Sequence, residues 1–122
     1  MTEPTFIVLY VANPAASAVF YADLLGKAPV DNSPTFALFV LDSGVKLGLW
    51  ASHAVEPAPQ TGAGAMELAL PVASDEAVHA VHAEWKRRGL EIVQAPVAMD
   101  FGFTFTALDP DGHRLRVFAP RD

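Results

Sequence analysis

Residues 9–26 read LYVANPAASAVFYADLLG, and the organisation of the chain follows from how this stretch changes character. Leu9, Tyr10 and Val11 end the run TFIVLYV that begins at Thr5, β-branched and aromatic residues that favour an extended strand. Asn13 then offers a side-chain oxygen to the free amides at the start of a helix. Pro14 has the fixed φ and missing N–H that suit the first helical position. The stretch from Ala15 to Leu25 has helical composition, and Gly26 is a natural residue to end it. Three short strands are predicted to follow, at 28–30, 35–41 and 45–50. Turns at Asp31-Asn32-Ser33-Pro34 and Asp42-Ser43-Gly44 separate them.

The second half repeats this order. MELALPV at 66–72 is a predicted strand, and Ser74 caps a helix whose apolar positions Val78, Val81 and Trp85 recur at spacings of three and four. Gly89 closes that helix. Strands are predicted at 92–94, 103–108 and 115–119, with a tight turn at Asp109-Pro110-Asp111-Gly112. The two helix caps, Asn13 and Ser74, stand 61 residues apart in a chain of 122. The fold class is therefore α+β, two βαβββ modules spanning 1–54 and 65–122. The stretch VEPAPQTGAG, 55–64, is Pro- and Gly-rich and nearly uncharged, and reads as the linker. A module of about 60 residues buries little core by itself, so one domain, 1–122, made of two packed modules is expected.

Composition narrows the function. Hydrophobic residues are 52% and charged residues 18%, ample for a packed core. The net charge of −6 lacks the basic surface that nucleic acid requires. The densest basic cluster, Lys86-Arg87-Arg88, falls at a predicted helix C-terminus, where cations complement the dipole. The absence of cysteine removes disulfides, thiol catalysis and Cys-ligated zinc. No apolar run approaches the roughly 20 residues that span a bilayer. The opening MTEPTFIVLYV has no basic region ahead of its apolar stretch, so a first strand is expected in place of a secretory signal, and a cytoplasmic location with it.

Phe20-Tyr21 with Leu24-Leu25-Gly26 after strand one, together with LDPDGHRLRVFAP at 108–120, resembles the glyoxalase and bleomycin-resistance group, the vicinal oxygen chelate superfamily. The likeness extends over nearly the whole chain. It implies that the modules form a cup-like mixed sheet around a shared cavity and that the protein is a homodimer. The superfamily's enzymes hold a divalent metal through four His, Glu or Gln ligands, one on each of four strands. Counting from Val11, Val72 and the Asp-Pro-Asp-Gly turn, those positions here are Phe6, Gly48, Glu67 and Arg116. Only Glu67 is able to bind a metal, and a guanidinium has no lone pair to give. No cofactor and no metal are expected. His79 and His82 fall on the second helix, outside the cavity, and His53 near the linker. His113 either lines the cavity mouth or holds the closing turn through a backbone hydrogen bond.

Strand alternation sorts the remaining side chains. With Ile7, Leu9 and Val11 towards the helix, Phe6, Val8 and Tyr10 face the cavity. Leu47 and Leu49 join the core and leave Lys46, Gly48 and Trp50 inward. On the last strand Leu115 and Val117 pack, while Arg114, Arg116 and Phe118 face the cup beside Glu67. Trp50 offers a stacking face, and Gly48 is expected to leave room for a planar ring. Arg116 is available to a ligand carboxylate, or to Glu67 when the site is empty. Met99, Asp100, Phe101 and Phe103 are expected in a Gly-containing loop that forms a mobile wall.

The expected partner is thus an aromatic small molecule, with no nucleic acid and no membrane. Within the superfamily the likeness is to its drug-sequestering branch, on the strength of LYVANPAASAVFY, the Trp closing LGLW, EPAPQ in the linker and DPDGHRLRVFAP. That likeness implies a metal-free protein that sequesters a planar, phenazine-like antibiotic. The alternative is a metal-dependent lyase, isomerase or dioxygenase of the same superfamily, in which a metal polarises vicinal oxygens.

Overall fold

Asn13 accepts a hydrogen bond from the Ala16 N–H at 3.2 Å, and Pro14 opens the helix α1, Pro14–Leu25. Gly26 ends it at φ +68°, its N–H bonded to the Ala22 carbonyl. These are the caps that the sequence supplies, here satisfying amides and carbonyls that the helix itself leaves unpaired. The structure, a computed structural model, describes residues 3–121; the outermost residues of the expected 1–122 domain, Met1, Thr2 and Asp122, lie outside the described residues. The described residues form two compact units that meet between Ala63 and Gly64.

In the first unit, β1 (Phe6–Val11) runs parallel to β4 (Lys46–Ala51), which pairs antiparallel with β3 (Phe36–Val40), and β3 with β2 (Asp31–Asn32). The order across the sheet is β1-β4-β3-β2. One face carries Leu9, Val11, Ala37, Phe39, Leu47, Leu49 and Ala51, all buried, together with Ala18 and Tyr21 of α1. Burial of these apolar side chains is the main driving term for the unit. The predicted strand at 28–30 is displaced: Asp31–Asn32 form β2, and the turn moves to 33–35. Ser33 decides this, because its N–H and hydroxyl both bond to the Phe36 carbonyl while its Oγ accepts from the Phe36 N–H.

The second unit repeats the topology. Its sheet has the order β5-β8-β7-β6, with β5 (Glu67–Pro71) parallel to β8 (Arg114–Pro120), and β7 (Gly102–Leu108) antiparallel to both β8 and β6 (Ile92–Met99). Helix α2, Asp75–Arg87, is capped by Ser74 through the Ala77 N–H, and buries Val78 and Trp85 against the sheet face that carries Phe105, Ala107, Leu115 and Val117. Trp85 meets Phe105 edge to face with centroids 5.4 Å apart. His82 meets the same ring from the same helix; burial first, then Lys86 and His79, hold its imidazole pKa below the ordinary range. The closing turn is fixed by the Asp109 carboxylate, which accepts from the Asp111 and His113 N–H groups.

β6 is longer than the sequence predicts. Pro96 argues against a strand, yet β6 lies at the sheet edge, and its register with β7 shifts between Ile92 and Gln94 and again between Gln94 and Val97. An edge strand with such irregularities tolerates a residue that has no N–H to give. No helix among the described residues is long and apolar enough to cross a membrane.

Gly102 opens β7 at φ +150°, and a Cβ there would stand 2.1 Å from the Ala119 carbonyl oxygen. Both conditions favour glycine alone. Gly102→Ala is expected to lower unfolding stability in urea titration by at least about 2 kcal/mol. A loss under about 0.5 kcal/mol, the scale of a neutral surface change, would show that the strand pairing is not as tight as described.

Candidate functional site

The helix of each unit covers one sheet face and leaves the alternate side chains on the other. In the first unit that other face is largely apolar, with Lys46 at the end of β4. Register aligns Tyr10 with Trp50 and Trp50 with Phe36, and Val8 with Gly48 and Gly48 with Leu38. Trp50 takes Tyr10 and Phe36 edge to face, at centroid distances of 6.4 and 6.5 Å. Phe6 remains 45% exposed, and Val8, Tyr10 and Val40 are also exposed. The expected room above Gly48 is not there. A Cβ on Gly48 would come within 2.9 Å of both the Phe36 and the Phe6 rings, so the glycine lets these two rings lean over the strand. Sequence reasoning missed Phe36 on this face; its position opposite Trp50 follows only from the β3–β4 register.

The open face of the second unit is polar and interlocked. Arg116, from the middle of β8, donates from Nε to Glu67 Oε2 at 2.7 Å and from Nη2 to Glu67 Oε1 at 3.4 Å. Its Nη1 donates to Gln94 Oε1 at 3.1 Å and to Thr104 Oγ1 at 3.3 Å. The Thr104 hydroxyl donates to the Val117 carbonyl, and Thr106 donates to Gln94 Oε1. Every group in this network has a partner, which is the condition under which partly buried polar side chains are tolerated. Gln94, Thr104 and Thr106 were not foreseen, although the alternation of threonines within FTFTAL marks a polar stripe in an otherwise apolar strand.

Beside this network lies a shallow depression of about 340 Å³ lined by Glu67, Ala69, Phe101, Arg116 and Phe118. Phe101 and Phe118 stand edge to face at 6.1 Å, and the Arg116 guanidinium lies 5.5 Å from the Phe101 ring centroid. Two rings, a methyl floor and a guanidinium–carboxylate pair converge here. That combination suits a flat, partly polar molecule.

Two predicted site residues fall elsewhere. Phe103 faces α2, its ring 5.0 Å from His79, because odd-numbered residues of β7 point to the helix. His113 is buried at 4% exposure, and its Nδ1 accepts a hydrogen bond from the Gly64 N–H at 3.3 Å. It therefore holds backbone and does not line the depression. The expected mobile loop at 99–103 is instead a tight hairpin: Met99 ends β6, Gly102 begins β7, and the Phe101 carbonyl is tied by the Arg121 N–H.

A divalent cation requires several nitrogen or oxygen donors converging on one point. Among the described residues no three His, Cys, Asp or Glu side chains form such a group. Glu67 is the one carboxylate at the four strand positions, and both its oxygens already accept from Arg116. These residues do not fit a metal cage.

The repeated βαβββ topology agrees with comparison to known proteins. A model of the Glyoxalase/Bleomycin resistance protein/Dioxygenase superfamily matches residues 4–117, and the chain belongs to that superfamily. It is 29% identical over 117 residues to the phenazine antibiotic resistance protein EhpR of Enterobacter agglomerans, covering 93% of this chain and 89% of that one. The solution structure of protein ATC0852 from Agrobacterium tumefaciens is 53% identical with a TM-score of 0.92, and each chain is covered in full. A glyoxalase/bleomycin resistance protein/dioxygenase from Nocardioides shares the fold at 23% identity and a TM-score of 0.84, covering all of this chain and 87% of that one.

The Glu67–Arg116 pair is asymmetric, with side chains 39% and 14% exposed. Removing Glu67 strands a charge away from water, whereas removing Arg116 leaves a carboxylate that water can reach, and Gln94 and Thr104 keep other partners. Glu67→Ala is expected to cost about 2 kcal/mol and Arg116→Met about 1 kcal/mol. Urea titrations that returned the reverse order would refute the assignment of Arg116 as the buried member.

Proposed function

We propose that this chain is a binding protein that sequesters a planar aromatic, phenazine-like antibiotic, without a metal and without altering the compound. The observation that carries this is the depression walled by Phe101 and Phe118, where a guanidinium–carboxylate pair stands at positions from which superfamily enzymes hold metal. Likeness to the phenazine antibiotic resistance protein EhpR supports the ligand class. Sequestration asks only for affinity, and affinity for a flat ring follows from aromatic walls and displaced water. Catalysis by proton transfer would ask for a positioned acid and base, and the depression offers one carboxylate held by an arginine. Such a protein would act in the cytoplasm.

Titration with phenazine-1-carboxamide, followed by calorimetry, is expected to give a Kd of about 10 µM or tighter. Phe101→Ala is expected to weaken it about tenfold, the scale of one lost aromatic contact. The compound recovered afterwards should be chemically unchanged. Absence of heat at high micromolar ligand, or a transformed product, would defeat this function.

The functional unit we propose is a homodimer, with the apolar open face of the first unit, where Phe6, Val8, Tyr10 and Val40 are exposed, covered in the assembly. Native mass spectrometry of protein purified without chelators tests both remaining elements at once. The expected species is twice the 13.0 kDa chain with no bound metal. Stoichiometric zinc, nickel, manganese or iron would restore the metal-dependent lyase, isomerase or dioxygenase as the better function, and a strictly monomeric species would remove the dimer.

A further inference from the structure

An arginine facing a pocket invites the assumption that it binds an anionic ligand. The hydrogen bonds of Arg116 point the other way. Its guanidinium carries five N–H donors, and Glu67, Gln94 and Thr104 take four of them. Its side chain is only 14% exposed, against 39% for Glu67. A ligand carboxylate reaching Arg116 would have to displace a carboxylate from the same chain, whose effective concentration is far higher. The overall charge of −6 further opposes an approaching anion.

Glu67 is the more open member of the pair. Each of its oxygens accepts one bond from Arg116 and retains a further lone pair. It lines the depression alongside Ala69, Phe101 and Phe118, so those lone pairs belong to the wall that a ligand would meet. The other arginine on this face, Arg114, lines a separate depression with Gly64, Ala65, Met66 and Glu67, which has no aromatic wall.

We infer that Glu67 is the polar anchor of the ring-walled depression, that Arg116 is a positioning residue holding its carboxylate, and that the ligand presents an N–H or O–H donor, or a positive charge, beside its ring in place of a carboxylate. This rests on the sequestration function above and specifies its ligand class. Glu67 sets selectivity in both directions. It accepts from a donor substituent, and it repels an acid by like charge in a partly desolvated place.

The test compares phenazine-1-carboxamide with phenazine-1-carboxylate at neutral pH, first on the unaltered protein, where folding is not in question. The carboxamide is expected to bind about tenfold more tightly, the equivalent of one net hydrogen bond. In Glu67→Gln, checked by thermal unfolding, the two affinities are expected to converge to within about threefold, because the repulsion is gone. Phe101→Ala should weaken both compounds alike and leave their ratio unchanged. Equal or tighter binding of the carboxylate by the unaltered protein would overturn the inference while leaving sequestration standing. Persistence of the preference in Glu67→Gln would overturn the role of Glu67, and failure of both compounds to bind would overturn the inference and sequestration together.

Discussion

Each four-stranded sheet is covered by one helix on one face, and that arrangement leaves the second face of each sheet without a covering element from its own unit. Period-two alternation then sends every other side chain to the covered face and the rest to the open one. The covered faces are alike: Ala37, Phe39, Leu47 and Leu49 in one unit correspond to Phe105, Ala107, Leu115 and Val117 in the other, all buried. The open faces differ in kind. Tyr10, Phe36 and Trp50 interlock edge to face in the first unit, while Arg116 gathers Glu67, Gln94 and Thr104 in the second. Topology repeats along the chain, and chemistry does not.

Much of this was legible because caps and alternation are local signals. Asn13-Pro14, Ser74, Gly26 and the Asp109 turn act through neighbours a few residues away, so their physics is written in the sequence itself. The sorting of Phe6, Val8 and Tyr10 away from Leu9 and Val11 is equally local, since it needs only the parity of one strand. What escaped depends on register between strands. The rings over Gly48 come from β1 and β3, and no pattern within VKLGLW reveals that two neighbours will fill the space a glycine leaves. Gln94 reaches Arg116 only because β6 and β8 flank the same central strand.

Phe103 and His113 stand away from the depression for different reasons. Phe103 was expected both in a Gly-containing loop and at the head of the strand 103–108. The strand begins one residue earlier, at Gly102, where backbone approaches backbone, and Phe103 takes the helix-facing parity of Phe105 and Ala107. His113 had two open readings, and parity selects between them. It precedes Arg114 and shares the buried side of Leu115, where a polar ring must find a partner, and the Gly64 amide provides one.

The engagement of Arg116 within its own sheet links the architecture to the kind of function it suits. A guanidinium that spends its donors on three side chains of its own sheet is rigid, and so is the carboxylate it holds. A rigid wall gives affinity by avoiding the ordering cost of binding, which is what retention of a compound requires. Turnover has a different requirement, namely interactions that strengthen as the reacting group changes charge or shape. An ion pair already closed on itself has little left to gain along such a coordinate. On the sequestration function proposed above, a closed pair at these strand positions favours grip over chemistry, and it stands on the open face, apart from the buried face on which the fold depends.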